Sequence, residues 1–157
     1  MALRWAARRR NGVGWRSSPP SRWPGHAATG DRRAANALAI EAVAHFEEIG
    51  ERQLLAFARR VYAEIRLSDY DADSAVQLLR DECIPVFREI GDRWGEFSSY
   101  SVLGDALLAA GRSHEARAAL AACLTIAVAL DDTHGIATAL ARRAMIEFAD
   151  GHEAAGL

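Results

Sequence analysis

From about residue 32 to the end, apolar residues recur every three or four positions, the signature of amphipathic helices rather than strands. Between 73 and 90 the apolar row is Ala75, Leu79, Cys83, Val86, Phe87 and Ile90; between 113 and 130 it is Ala116, Leu120, Leu124, Ala127 and Leu130. Glycines at 50, 91 and 111 can take the left-handed backbone that closes a helix, and Asp92 and Asp132 stand where a carboxylate can accept from free amides of the helix that follows. The pattern predicts six helices, near 32–49, 52–67, 73–90, 93–110, 113–130 and 133–149. Pro85 falls inside the third and should bend it or open its last turn, because it has no amide hydrogen to donate.

The helical pattern repeats. Phe46-Glu47-Glu48-Ile49-Gly50-Glu51-Arg52 returns as Phe87-Arg88-Glu89-Ile90-Gly91-Asp92-Arg93, with Phe87 in the place of Phe46. Leu130-Asp131-Asp132-Thr133-His134-Gly135 is a weaker third copy, in which Leu130 takes the place of Ile90. Small residues Ala63, Gly104 and Ala144 fall at one equivalent point of alternate helices, where a missing side chain lets two helix axes approach. A period near forty predicts a stack of helix pairs in which each unit buries its apolar side against its neighbours.

The stretch 1–31 is different. No apolar period runs through it, and Ser17-Ser18-Pro19-Pro20 would break any helix. Residues 1–33 hold eight arginines against the single acid Asp31, a charge of +7, so the remaining chain carries −9 within the overall net charge of −2. Three of the four tryptophans (Trp5, Trp15, Trp23) also lie there. This reads as a disordered basic tail over 1–31. Arginine and tryptophan together could bind nucleic acid, which gives an alternative function, a nucleic-acid-associated regulator using this arm; the −9 body opposes it, since phosphate would be repelled. A secretory leader needs an apolar stretch of about 7–15 residues, which Asn11-Gly12-Val13-Gly14-Trp15-Arg16 is not.

Composition excludes several chemistries. All 19 basic side chains are arginine, so no phosphate-loop, Schiff-base or general-base lysine exists. Two cysteines in 157 residues make no disulfide framework; Cys83 and Cys123, on successive equivalent helices about 8–10 Å apart, read as small core residues. Asp69-Tyr70-Asp71-Ala72-Asp73 imitates the opening of a calcium loop, but Ser74 and Arg80 stand where glycine and a bidentate glutamate are required, and the stretch reads as a turn whose last aspartate caps the next helix. His26, His45, His114, His134 and His152 lack metal-ligand spacing. Serines 98, 99 and 101 share a helix with no histidine beside them, and no run of about 18 apolar residues could span a membrane. The expectation is a cytoplasmic, non-catalytic protein without metal or cofactor.

Tyr100-Ser101-Val102-Leu103-Gly104, followed by Leu107, Gly111, Ala116 and Leu120, resembles a tetratricopeptide repeat. The period of 40–41 against the usual 34 or so, and the phrase Arg88-Glu89-Ile90-Gly91-Asp92-Arg93-Trp94-Gly95, are similar to the C-terminal helical arrays of LuxR-type and SARP-type bacterial regulators with an ATPase core. The resemblance implies an all-α, right-handed array of antiparallel helix pairs over 32–151, acting as a sensor or protein-binding arm. It further implies a groove lined by alternate helices, offering Arg60 and Glu64 from one unit and Ser98, Ser101 and Asp105 from the next, to a protein or peptide partner. Residues 152–157 would begin a further helix too short to cover Ile136, Leu140, Met145, Ile146 and Phe148. Hence the expectation that the chain is a fragment of a longer array, or that two copies cover each other's ends as a homodimer.

Overall fold

The computed structural model describes residues 32–155, with side chains described as far as 148. The basic stretch 1–31 lies outside the described residues. The elements are α1 (Arg32–Glu48), α2 (Arg52–Ser68), α3 (Ala72–Leu78), a π-helical turn (Leu79–Cys83), α4 (Ile84–Glu89), α5 (Arg93–Ala109), α6 (Ser113–Ala129) and α7 (Thr133–Ala155). Since α3, the π turn and α4 follow one another without a break, the described residues form six helical rods and no strand.

One turn geometry joins all six. After each of the first five rods a single residue takes positive φ: Gly50 (69°), Tyr70 (62°), Gly91 (73°), Gly111 (73°) and Asp131 (54°). The next residue's amide then reaches back five positions to a carbonyl of the last helical turn, as Asp92 N–H does to Phe87 O at 2.9 Å and Arg112 N–H to Leu107 O at 2.8 Å. These bonds satisfy carbonyls that would otherwise be left without donors at a helix end. Glycine is the low-strain residue there, so the sequence marks the left-handed residue in the three glycine turns, whereas near 70 and 131 it predicts a break between helices without marking Tyr70 or Asp131 as left-handed.

Asp92 accepts from the Gly95 amide at 2.8 Å and caps α5 as the pattern predicts. The cap of α3 is a correction: Asp71 accepts from the Ser74 amide at 3.2 Å, where the sequence pattern points to Asp73. Asp73 is itself inside the first turn of α3.

Pro85 produces more than a bend. The Ile84 amide bonds to Leu79 O, five residues back instead of four. That wide turn makes room for a proline ring that would strike the carbonyl four residues before it, and Pro85 then lies in the first turn of α4. Two members of the expected apolar rows are also corrected. Ile90 and Leu130 are 39% and 38% exposed, because each immediately precedes the left-handed residue of its turn, where the chain leaves the core. The last helix runs through Gly151 to Ala155, past the end expected at 149, and shows no break at Gly151.

Sequential rods pack against each other, and α5 lies at the centre, touching α2, α3, the π turn, α4 and α6. The core they enclose holds Ala63, Leu79, Cys83, Phe87, Leu103, Leu107 and Leu120. Ser99, also fully buried, satisfies its hydroxyl on the Gly95 carbonyl at 2.8 Å. Ion pairs cross between rods at the surface, Arg59 to both Glu47 (3.1 Å) and Glu82 (3.0 Å) and Arg80 to Glu115 (2.6 Å). No described helix is long and apolar enough to cross a membrane.

Candidate functional site

The five groove residues expected from sequence lie on α2 and α5. Arg60 and Glu64, one helical turn apart on α2, form an ion pair. The Arg60 guanidinium also stacks over the Phe57 ring, 5.1 Å from its centre, a favourable cation–π arrangement. Although charged, Arg60 is buried. Its Nε has no hydrogen-bond partner, so the Glu64 pair and the Phe57 face are what stabilise it there.

On α5, Ser101 and Asp105 are likewise one turn apart, and a single residue of α7 engages both. Arg142 donates through Nη1 to Ser101 Oγ and pairs through Nη2 with Asp105 Oδ2 at 2.9 Å. Burial pushes the Asp105 carboxyl above its ordinary range, Arg142 opposes the shift, and the negative charge of Glu64 adds to it. That repulsion links the α2 and α5 pairs across the helix boundary. Arg60 and Ser101 are equivalents in the repeat, as are Glu64 and Asp105, while Arg142 lies one position past Ala141, the equivalent of Ser101. Polar side chains of three alternate helices are thus paired along one face, Arg60 and Glu64 on α2, Ser101 and Asp105 on α5 and Arg142 on α7.

Ser98 does not join them. It is buried, and its hydroxyl bonds to the Gly95 carbonyl of its own helix at 3.0 Å. Sequence reasoning misses Arg142, because it lies one position out of register with Ser101 in the last unit.

As chemistry, the site offers two carboxylates and two guanidiniums, each already with an opposite charge nearby. Such a set can exchange hydrogen bonds with the peptide groups and polar side chains of a bound chain. It contains no nucleophile beside a base. The thiols offer none either: Cys83 and Cys123 are buried and free, and burial pushes them up to about 12 and about 11, far from a thiolate at neutral pH. Among the described residues no cluster of histidine, cysteine and carboxylates could hold a metal. No protein-family model matches the chain, and no curated protein matches it in sequence.

Proposed function

We propose that the chain is a non-catalytic, tetratricopeptide-like interaction module, a right-handed array of helix pairs that binds a protein or peptide segment along the face shared by α2, α5 and α7. The observation that carries the reading is the row of paired polar residues on three alternate helices, Arg60 with Glu64 and Arg142 with Ser101 and Asp105. Helix-surface positions filled only for solubility have no reason to hold pairs at one fixed interval across separate helices. A role as the sensor arm of a bacterial regulator, in the cytoplasm, is part of the same proposal and rests on the phrase from Arg88 to Gly95. Contact with a second copy is also part of it. It is supported by Leu140, Met145 and Phe148, which are 49%, 69% and 69% exposed along α7 and would lose water contact in a two-fold pairing.

The test is selection of binding peptides from a random display library by the full chain, followed by calorimetry with the selected sequences. Glu64→Ala and Arg142→Ala together should weaken them about tenfold or more, the effect of removing charge-assisted hydrogen bonds. Peptides that bind the doubly substituted protein as well as the parent would overturn the assignment of this face.

A further inference from the structure

The π turn that accommodates Pro85 borders a cleft. The cleft, of about 530 Å³, opens between α4 and the first half of α6, with α5 beneath. That volume is in the range of small-molecule sites, about 300–1,000 Å³. Ile84, Pro85, Leu103 and Ala119 give it an apolar lining, and its mouth is polar, with Arg80, Arg88, Tyr100, His114 and Glu115. It lies apart from the Arg60–Asp105 face and shares no residue with it.

The polar groups at the mouth are unevenly balanced. Buried Glu96 receives both Arg88, at 3.1 Å, and Arg93, at 2.7 Å. Glu115 receives both Arg80, at 2.6 Å, and Arg112, at 2.6 Å. Of these groups Arg80, Arg88 and Glu115 line the mouth itself, an excess of one positive charge, with His114 beside them. Tyr100 has a more specific role. Its hydroxyl oxygen accepts from Arg88 Nη2 at 2.7 Å, which leaves the phenolic O–H to donate into the cleft. A carboxylate there would receive that O–H together with the Arg88 charge. Glu115 on the same rim disfavours a dianion, so one negative charge suits the site better than a phosphate monoester.

We propose that this cleft binds a small monocarboxylic acid with an apolar body, its carboxylate held by Tyr100 and Arg88 and its hydrocarbon laid against Ile84, Pro85, Leu103 and Ala119. The proposal stands independently of the peptide-binding reading.

The probe is 4-phenylbutyrate, titrated into the full chain by calorimetry and by backbone amide shifts, with 4-phenylbutyramide as its uncharged match. The acid should bind at least about fivefold more tightly than the amide, with the largest shifts at Leu103, Ala119 and Ala122. Arg88→Gln should weaken the acid about tenfold. Tyr100→Phe, which keeps the ring and its packing, should weaken it about threefold while leaving the amide unchanged. Ala118→Trp, at an exposed position on the rim, should abolish binding of both; Leu38→Glu, at an exposed position of α1, should change neither. Equal affinity for acid and amide, or full binding by both Tyr100→Phe and Ala118→Trp, would overturn the proposal even if Arg88→Gln failed to fold. No detectable binding of the acid would overturn it as well.

Discussion

Leu120 of α6 lies against Gly104 of α5 so closely that a Cβ on Gly104 would be 2.7 Å from Leu120 Cδ2 and 2.9 Å from Cγ. Leu120 is fully buried, so it can yield only by moving against the side chains packed around it. The two helices are therefore held together by a side chain occupying the place of an absent one. Gly104→Ala gains about 1 kcal/mol of helix propensity, but overpacking costs about 1–3 kcal/mol. A net loss near 1 kcal/mol is expected in urea denaturation, roughly the difference of those two effects. On a Leu120→Ala background, itself destabilised by about 2–5 kcal/mol, the same substitution should reverse sign and stabilise. Additive effects of the two changes would refute the close-approach account.

The five inter-helix turns make an internal comparison. Tyr70 holds φ 62° and is 92% exposed, so its side chain contributes no packing to offset the backbone strain. Tyr70→Gly should stabilise the chain by about 0.5–1 kcal/mol. Gly91→Ala, at an equivalent turn with open space around it, should destabilise it by about 1 kcal/mol through strain alone. Thermal midpoints of the two variants should move in opposite directions.

These turns also show what the sequence makes legible. The period near forty and three glycines locate every rod, because a helix must end where the backbone turns left-handed. Tyr70 and Asp131 carry no such mark, although the breaks they occupy fall where the pattern ends one helix and begins the next. The all-helical class is equally visible, while the π turn is not, since Pro85 announces a disturbance but leaves its form to the packing of Leu79, Cys83 and Phe87. At the candidate face, Arg60, Glu64, Ser101 and Asp105 could be named only through the resemblance to a tetratricopeptide groove. Arg142 could not, because a one-residue change of period between units shifts the residue expected to point at Asp105. Ser98 could not be excluded either, since whether a helical serine bonds to its own backbone depends on its rotamer.

Two carboxylates should affect stability in opposite senses as pH changes. Glu115 is held down to about 2, first by Arg112 and then by Arg80, from an ordinary 4.5. A depressed carboxyl supports the fold above its unfolded value and loses that support as pH falls from about 4.5 toward 2. Glu115→Gln should therefore flatten the acid limb of a plot of thermal midpoint against pH. Asp105 is shifted the other way by burial, so its ionisation disfavours the folded state as pH rises through the region above its unfolded value. Removing Arg142 takes away the charge that limits this. Arg142→Met should cost about 1 kcal/mol at pH 7 and distinctly less near pH 4. A loss independent of pH would mean that Arg142 acts through packing alone.

On α7, Leu140, Ala144 and Phe148 follow at intervals of four, with Met145 beside them, and all four are exposed. Ala144 is the repeat equivalent of Gly104, the point where α5 receives Leu120. Ala144 itself is exposed, where Gly104 is buried. Transferring large apolar side chains from water is worth about 1.5–3 kcal/mol each when burial is complete, so even partial cover of three of them favours association at accessible concentrations. The full chain should sediment as a concentration-dependent dimer at tens of micromolar. Phe148→Glu or Leu140→Glu should return it to monomer without lowering helix content, since both side chains already face solvent on one edge. A clean monomer at that concentration would remove the second copy from the proposed function and leave the Arg60–Asp105 face untouched.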